Sequence, residues 1–221
     1  MAKKDSINEL VIHDVKPEAF DDYTELIQEH YKRIALDPSF PCKLFGSWET
    51  QVGQLDQAVH VWQYQSYDDL NTFHDQLKKD PHNQAFKKLL KPMLRSRKSQ
   101  IVLEFEFWNP TTPYDLNSIY ELRSYLLKPG MMLEWEQGWR IGLEARRQHV
   151  QPIGAWFSQL GDLNYVHHMW AYPSLQYRKD KRDETWKEKG WGESVKKTVH
   201  LIDHMESRIL KPLVLTTQPG P

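Results

Sequence analysis

Aromatic and imidazole side chains that could form a ligand site alternate along one segment of this sequence, and the same alternation recurs later in the chain. The two sets, which stand at one constant offset, are His60, Trp62, Tyr64 and His168, Trp170, Tyr172. On a β-strand, side chains two residues apart point to the same face. Each set would therefore present an imidazole, an indole and a phenol together, as aromatic small-molecule sites do.

Catalytic or metal chemistry has little support in the sequence. His167 and His168 are adjacent, so on a strand they leave opposite faces and cannot chelate one ion together. Haem ligation by His168 alone is the cofactor alternative. Cys42 is the only cysteine, which excludes an internal disulfide and a cysteine-based metal cluster. We find no phosphate-binding glycine loop or nucleophile elbow, and we predict no catalytic residue and no metal site.

One tetrapeptide has the form of a partner-binding peptide. Tyr67 and Leu70 flank two aspartates, and an extended aromatic-x-x-aliphatic segment can add to the sheet edge of a partner and seat both side chains in pockets. The alternative is that Ser66 and Asp69 start a helix here. Both interpretations stay open.

Composition limits the classes of partner. The 221 residues carry a formal net charge of −1 with a pI near 6.8, so no overall field attracts nucleic acid. No apolar run reaches the length of about 20 residues that a membrane-spanning helix needs. We predict neither nucleic-acid binding nor a transmembrane segment, and a reducing compartment suits a chain with one cysteine.

An internal repeat positions these residues. Glu9-Leu10 with Lys16-Pro17 recurs as Glu121-Leu122 with Lys128-Pro129, and Gly46-Ser47-Trp48 recurs as Gly154-Ala155-Trp156. In each copy, the spacing of apolar residues predicts the order strand, helix, strand, strand, helix, strand. The second helix of copy one is interrupted at Pro81, while that of copy two would carry Val195, Val199, Ile202, Met205 and Ile209 before a short last strand near residues 213–215.

This order predicts an α+β fold, a tandem duplication of a ferredoxin-like βαββαβ unit. The predicted units cover residues 6–108 and 118–216, joined by a proline-containing linker at 109–117. Helices cover one face of each four-stranded antiparallel sheet, and we expect the two bare faces to pack against each other, as two sheets or a closed barrel. The aromatic sets would then point between the sheets with Trp48 and Trp156, either as a filled core or as a pocket.

The whole sequence resembles the NIPSNAP family. In the second copy, the resemblance rests on residues 119–125 (IYELRSY), 127–130 (LKPG), 154–159 (GAWFSQ), 166–172 (VHHMWAY) and 204–209 (HMESRI). Segments 15–18 (VKPE), 40–42 (FPC), 56–60 (DQAVH) and 103–105 (LEF) extend the resemblance into the first copy. The branch of the first two vertebrate paralogues fits better than the shorter, more distant members.

The resemblance implies a dimeric α/β-barrel fold and residence in the mitochondrial matrix or at the inner membrane, after removal of a presequence that this sequence does not show. It also implies a scaffold or adaptor role in mitophagy. On damaged mitochondria such proteins reach the outer surface and recruit autophagy receptors and ubiquitin-like autophagy modifiers. It implies no catalytic residue. The alternative function is a small-molecule binder, with haem as one candidate ligand. Edge-strand pairing into an oligomer stays open.

Overall fold

A computed structural model describes the backbone of residues 2–108 and 115–214, with side chains from Ile7 onward in the first range. Most of the predicted linker, residues 109–114, lies outside the described residues. The first half comprises β1 (Ala2–Val15), α1 (Phe20–Leu36), β2 (Lys43–Val52), β3 (Gln57–Tyr64), α2 (Tyr67–Lys79), α3 (Pro81–Met93) and β4 (Leu94–Phe105). The second half comprises β5 (Ile119–Leu127), α4 (Met132–Arg147), β6 (Gln151–Leu160), β7 (Tyr165–Tyr172), α5 (Leu175–Thr185), α6 (Trp191–Thr198) and β8 (Ile202–Val214).

Local signals set several helix boundaries. The Ser66 side chain accepts a hydrogen bond from the Asp69 amide and caps α2, and Ser174 caps α5 in the same way through the Tyr177 amide. Asp80 accepts from the His82 amide at 3.1 Å, so α3 starts with its own cap and with Pro81 at its first turn. The predicted interruption at Pro81 is confirmed. None of the helices in the described part is long and apolar enough to cross a membrane.

The predicted end of the second half is wrong. Ile202, Met205 and Ile209 were expected on a helix, but they lie on β8, which is a long strand rather than a short one. β8 forms antiparallel ladders with both β5 and β2. The hydrogen bonds of two neighbouring strands therefore override a helical spacing of apolar residues in this segment.

All eight described strands form one closed antiparallel barrel in the order β1-β3-β2-β8-β5-β7-β6-β4. The α+β class is confirmed, but the halves do not contribute two separate sheets, because their edge strands pair. β2 pairs with β8, and β4 pairs with β6. Closure satisfies the backbone groups that each four-stranded half would otherwise leave at its edges, so no described strand has a free edge for the oligomer pairing that the sequence left open.

The two halves share one strand register. Glu9 lies opposite Trp62, and Glu121 lies opposite Trp170. Ser47 lies opposite His60 as Ala155 lies opposite His168. Positions in the two repeats can therefore be compared residue by residue.

The predicted inward orientation of the aromatic sets is wrong. Val59, Val61, Met169 and Ala171 face the barrel interior, in a cluster with Leu10, Leu122 and Leu210. The alternating set of each strand packs outward beneath the helices: Trp62 and Tyr64 with α1 and α2 in one cluster, Trp170 and Tyr172 with α4 in another. The interior of an eight-stranded barrel is just wide enough for side chains to fill, so most of the larger rings lie in the helix–sheet layers. Trp48 and Trp156 do lie in the interior as predicted.

Candidate functional site

A cavity of about 430 Å³ lies between the helices and the sheet of the first repeat. Its floor is the outer face of β1 and β4, with Glu9, Val11 and His13, and its roof is formed by α1, α2 and α3. Aromatic and aliphatic side chains supply most of the wall: Tyr31, Ile34, Trp62, Phe73, Phe86 and Leu90. Such a mainly apolar wall with a few polar groups is the usual form of a small-molecule site.

A chain of four buried polar side chains leads to this cavity. Ser47 Oγ lies 2.7 Å from His60 Nδ1, and His60 Nε2 lies 2.8 Å from the Tyr23 hydroxyl. The same hydroxyl lies 2.8 Å from Nδ1 of His13, which lines the cavity. The Tyr23 hydroxyl can donate to one ring and accept from the other, so the chain is satisfied with both imidazoles neutral.

The environment keeps these histidines neutral. Burial, and then the charge of Arg97, lowers the pKa of His13 to about 4. Burial, followed by the neighbouring His13, lowers the pKa of His60 well below its ordinary value. Burial likewise raises the pKa of the Tyr23 hydroxyl. At neutral pH the cavity therefore presents a neutral imidazole backed by hydrogen-bonding partners, a group that can either donate to a ligand or accept from it.

A second polar group on the wall comes from two helices. His30 of α1 lies 3.2 Å from Asn83 Oδ1 of α3 and stacks on the Phe86 ring at a centroid distance of 3.7 Å. Burial, and then the charge of Arg33, lowers the pKa of His30 to about 4. The wall therefore holds two neutral imidazoles at separate positions.

Charges are found at the edge of the cavity. Glu9 accepts a hydrogen bond from the Tyr64 hydroxyl at 3.1 Å, and His74 Nε2 lies 3.8 Å from its carboxylate. The exposed lysines and arginine that line the cavity are Lys78, Lys87, Arg97 and Lys98. Lys78 pairs with Asp75 at 2.9 Å and Lys98 with Asp162 at 3.4 Å. Lys87 and Arg97 form no ion pair with the described residues, so the opening favours a ligand with an acidic group.

The structure divides the eight candidate residues into three places. Trp62 lines the cavity, while His60 and Tyr64 support it through Tyr23 and Glu9. Trp48 and Trp156 lie inside the barrel. His168, Trp170 and Tyr172 lie beneath the helices of the other repeat, so the candidates do not form one shared site.

In the second repeat, tryptophans pack in the layer that holds the hydrogen-bonded chain in the first repeat. Trp135 and Trp139 of α4 stack at a centroid distance of 4.8 Å, and Trp108 stacks on Trp139 at 5.6 Å. His168 lies among these rings, 5.0 Å from Trp139, and its Nδ1 accepts from the Trp170 indole at 2.8 Å. Ala155 replaces Ser47 here, and Tyr125 replaces His13, so the hydrogen-bonded chain of the first repeat has no counterpart.

Haem ligation by His168 stays a prediction, and the surroundings of His168 and of its counterpart His60 do not favour it. His60 has both ring nitrogens in hydrogen bonds. His168 Nε2 has no partner among the described residues, but the ring is 2% exposed and aromatic side chains surround it. A haem cannot reach either ring without displacing the tryptophans or the buried chain. In the part of the chain that the structure describes, no group of three His, Cys, Asp or Glu side chains could hold a metal ion.

The tetrapeptide of the partner hypothesis forms the first turn of α2. Tyr67 is 45% exposed, but Leu70 is 9% exposed and packs in the core of the first repeat. Extended docking of this peptide would require α2 to unwind and Leu70 to leave the core.

Sequence reasoning missed His13, Tyr23 and Ser47. His13 lies four residues after Glu9, the first residue of the repeated Glu-Leu pair. Strand alternation therefore predicts that both side chains lie on one face of β1. Tyr23 is a buried residue of α1. Its hydroxyl meets two strands that are distant in sequence, so the contact depends on the tertiary structure.

Comparison with known proteins gives one family. The sequence model of the NIPSNAP family matches residues 8–108 and again residues 120–216. Protein NipSnap homolog 2 of Homo sapiens is 44% identical over 216 residues, which span 96% of this chain and 76% of that protein. Protein NipSnap homolog 1 of Danio rerio is 42% identical over 217 residues, 97% of this chain and 78% of that protein. Protein NipSnap homolog 3A of Pongo abelii matches only 92 residues, at 35% identity, which span 41% of this chain and 37% of that protein.

Solved structures share the fold at low identity. A Lactobacillus acidophilus protein provisionally assigned as a monooxygenase superposes with a TM-score of 0.69 at 11% identity, over 97% of both chains. An anthrone oxidase-like protein gives a TM-score of 0.62 at 12% identity, covering 96% of this chain and 93% of that one. At such identities the likeness concerns the fold alone.

Proposed function

The chain belongs to the NIPSNAP family, and we propose that this member binds a small molecule in the helix–sheet cavity of its first repeat. The observation that carries the proposal is the hydrogen-bonded chain from Ser47 through His60 and Tyr23 to His13 at the cavity wall. Burying four polar groups costs free energy unless they are paired, and apolar residues would fill this layer at no such cost. The second repeat shows the filled arrangement, with tryptophans in the corresponding layer.

The lining defines the ligand class. Aromatic rings such as Trp62, Tyr31 and Phe86 suit a flat apolar body. The neutral imidazole of His13 suits a hydroxyl or carbonyl group. The cations at the opening, Lys87 and Arg97 among them, suit an acidic group. We infer an aromatic organic acid or a molecule of similar shape and charge.

We propose binding rather than catalysis. The sulfur nucleophile of the chain is not activated, because burial raises the pKa of the Cys42 thiol to about 12. In the described cavity wall, neither hydroxyl side chain, Tyr31 or Ser99, is hydrogen-bonded to a base, so no activated nucleophile is in place.

Binding is tested with 1-anilinonaphthalene-8-sulfonate, a fluorescent aromatic sulfonate that has the inferred shape and charge. We expect the folded protein to enhance its fluorescence, and we expect Leu77→Trp, which fills the cavity from α2, to abolish the enhancement. Leu89→Trp is the matched control, since Leu89 is 56% exposed on α3 and does not line the cavity. If Leu77→Trp keeps the far-ultraviolet circular dichroism of the parent protein and still enhances the fluorescence equally, the proposal is contradicted.

Haem binding is tested separately by absorbance titration. We expect no Soret shift that depends on His168, because tryptophans and Tyr125 enclose that ring. A shift present in the parent protein and lost in His168→Ala would show that the aromatic layer opens for haem.

For the cellular role we propose what the family resemblance implies: a mitochondrial adaptor that recruits autophagy receptors and ubiquitin-like autophagy modifiers to damaged mitochondria. Identity of 44% to Protein NipSnap homolog 2 of Homo sapiens over 96% of the chain supports this proposal. Capture of purified ubiquitin-like modifiers by the purified chain is the direct test, and absence of capture would contradict it.

The contact is tested with Tyr67→Ala. Because Leu70 is buried in the core and the tetrapeptide is helical, we expect this variant to capture the modifiers as the parent protein does. Tyr177→Ala, which removes an exposed tyrosine from α5, is the control. Loss of capture in Tyr67→Ala alone would show that the start of α2 is the docking peptide.

A further inference from the structure

A cluster of buried charge lies in the second repeat, on the helix-facing side of β5. Glu121 is fully buried, and its Oε1 accepts hydrogen bonds from Arg123 at 2.7 Å, Arg178 at 2.6 Å and Ser207 at 2.9 Å. Its Oε2 accepts from Arg178 at 2.9 Å and from the Tyr172 hydroxyl at 3.1 Å. The acceptor positions of this carboxylate are therefore occupied.

More arginine is present than this carboxylate can neutralise. Arg146 Nη2 lies 3.6 Å from Glu121 Oε2 and donates to the Tyr172 hydroxyl at 2.7 Å. Arg182, one turn after Arg178 on α5, is half-buried, and its guanidinium makes no hydrogen bond or ion pair with the described residues. Burial, and then the charges of Arg146 and Arg123, lowers the pKa of Arg182. Four guanidinium groups thus share one carboxylate in a layer of low polarity, which is unfavourable without another anion.

The first repeat shows that the carboxylate alone does not require these arginines. Glu9 occupies the position of Glu121, and the Tyr64 hydroxyl donates to it at the same 3.1 Å as Tyr172 donates to Glu121. Counted from the serine caps of α2 and α5, Leu70 stands where Arg178 stands, and His74 stands where Arg182 stands. The positive charge is therefore a property of the second repeat and not of the shared fold.

The cluster is accessible from solvent. The side chains of Arg178 and Arg123 are 22% and 16% exposed, and Arg182 lies beside them. Planar guanidinium groups bind oxyanions through paired N–H donors, and a phosphate group carries more charge and more acceptor oxygens than a carboxylate. We propose that this arginine cluster, Arg123, Arg146, Arg178 and Arg182, binds a phosphate group.

The experiment is a thermal-shift titration of the full chain with sodium phosphate, at constant ionic strength and against sodium acetate and sodium chloride. We expect phosphate to raise the melting temperature more than acetate or chloride. Arg182→Gln should weaken the apparent phosphate affinity by about tenfold or more, because a charged donor is lost while the Glu121 contacts stay. Arg182→Lys should retain part of the affinity. Glycerol 2-phosphate, tested in parallel, distinguishes a site for free phosphate from one that also accepts a phosphate ester.

Arg95→Gln is the matched control, since it removes an exposed arginine from β4 in the first repeat. It should leave the phosphate response unchanged. A phosphate response no larger than that to acetate or chloride would overturn the proposal. So would an Arg182→Gln variant that binds phosphate as the parent protein does. Neither result depends on the cavity of the first repeat, because the probes and the variants are different.

Discussion

At the scale of single residues, the main feature is a set of histidines kept neutral by burial. His13 and His60 share the Tyr23 hydroxyl, and His167 uses both ring nitrogens, 2.8 Å from Ser124 Oγ and 3.0 Å from Gln100 Oε1. A buried imidazole avoids the cost of charge by staying neutral and then needs one donor and one acceptor. The hydroxyl and amide partners supply these, so the histidines couple stability to pH.

Tyr23→Phe tests the shared hydroxyl. The variant keeps the ring but removes the partner of His13 Nδ1 and of His60 Nε2, so we expect a loss of about 1–3 kcal/mol in the free energy of unfolding. Urea unfolding measures it. Tyr177→Phe, at an exposed tyrosine, should change the stability little, and equal stability of the two variants would contradict this account of the chain.

The pH dependence follows from the same burial. The pKa is lowered to about 4 for His13 and to about 3 for His167, whereas an unfolded histidine has a pKa near 6.5. Between these values the unfolded state binds more protons, so the free energy of unfolding should fall as the pH drops from about 6.5 towards 4, by at most about 1.4 kcal/mol per pH unit for each histidine. Above pH 6.5 this contribution is complete.

Denaturant unfolding at a series of pH values measures that slope. His13→Gln should reduce it, because glutamine does not titrate. His82→Gln, at an exposed histidine of α3, is the control. An identical slope in His13→Gln and in the parent protein would show that His13 does not carry the effect.

At the scale of elements, glycines allow two helices of the second repeat to pack closely. A Cβ added at Gly142 of α4 would lie 2.5 Å from Ser194 Oγ of α6, and one at Gly138 would lie 2.9 Å from Thr198 Cγ2. The absence of side chains at these positions lets α6 lie against α4. This contact places the Trp191 ring centroid 5.7 Å from Cζ of Arg146. The helix contact therefore supports the arginine cluster.

Gly142→Ala should separate these helices and lower the free energy of unfolding by about 1–3 kcal/mol through overpacking. Gly192→Ala is a control on α6, where an added Cβ meets nothing within 4 Å. That substitution should be neutral or stabilising by up to about 1 kcal/mol, as expected for alanine in place of glycine in a helix. Chemical denaturation compares the two, and a Gly142→Ala variant as stable as Gly192→Ala would contradict the close contact.

At the scale of the whole molecule, barrel closure joins the two repeats. Each repeat supplies four strands, and the two junctions, β2 with β8 and β4 with β6, are hydrogen-bonded along several residues. The interior cluster contains side chains of both repeats, including Trp48, Tyr120 and Trp156. Separation would expose two strand edges and an apolar face on each half, so the repeats should depend on each other for stability.

A chain of residues 1–108 expressed alone should therefore self-associate. Its β2 and β4 edges can pair with a second copy in place of β8 and β6, and we expect a dimer by size-exclusion chromatography with light scattering. Addition of residues 115–221 should convert that dimer to a complex of the two halves. A folded, monomeric first half would contradict the dependence on closure.

The repeat, the order of strands and helices, the break at Pro81 and the family all follow from the sequence without the structure. These features depend on local periodicity, proline and capping residues, and on matches along the chain. The tertiary structure alone decided which face of β3 and β7 turns inward. Both faces of these strands are apolar, and the limited interior of the closed barrel accepts Val59, Val61 and Met169 while Trp62 and Trp170 pack under the helices. The tertiary structure also formed the cavity site and the arginine cluster. Tyr23 and Arg182 lie on helices, and no local sequence pattern specifies how those helices contact the strands.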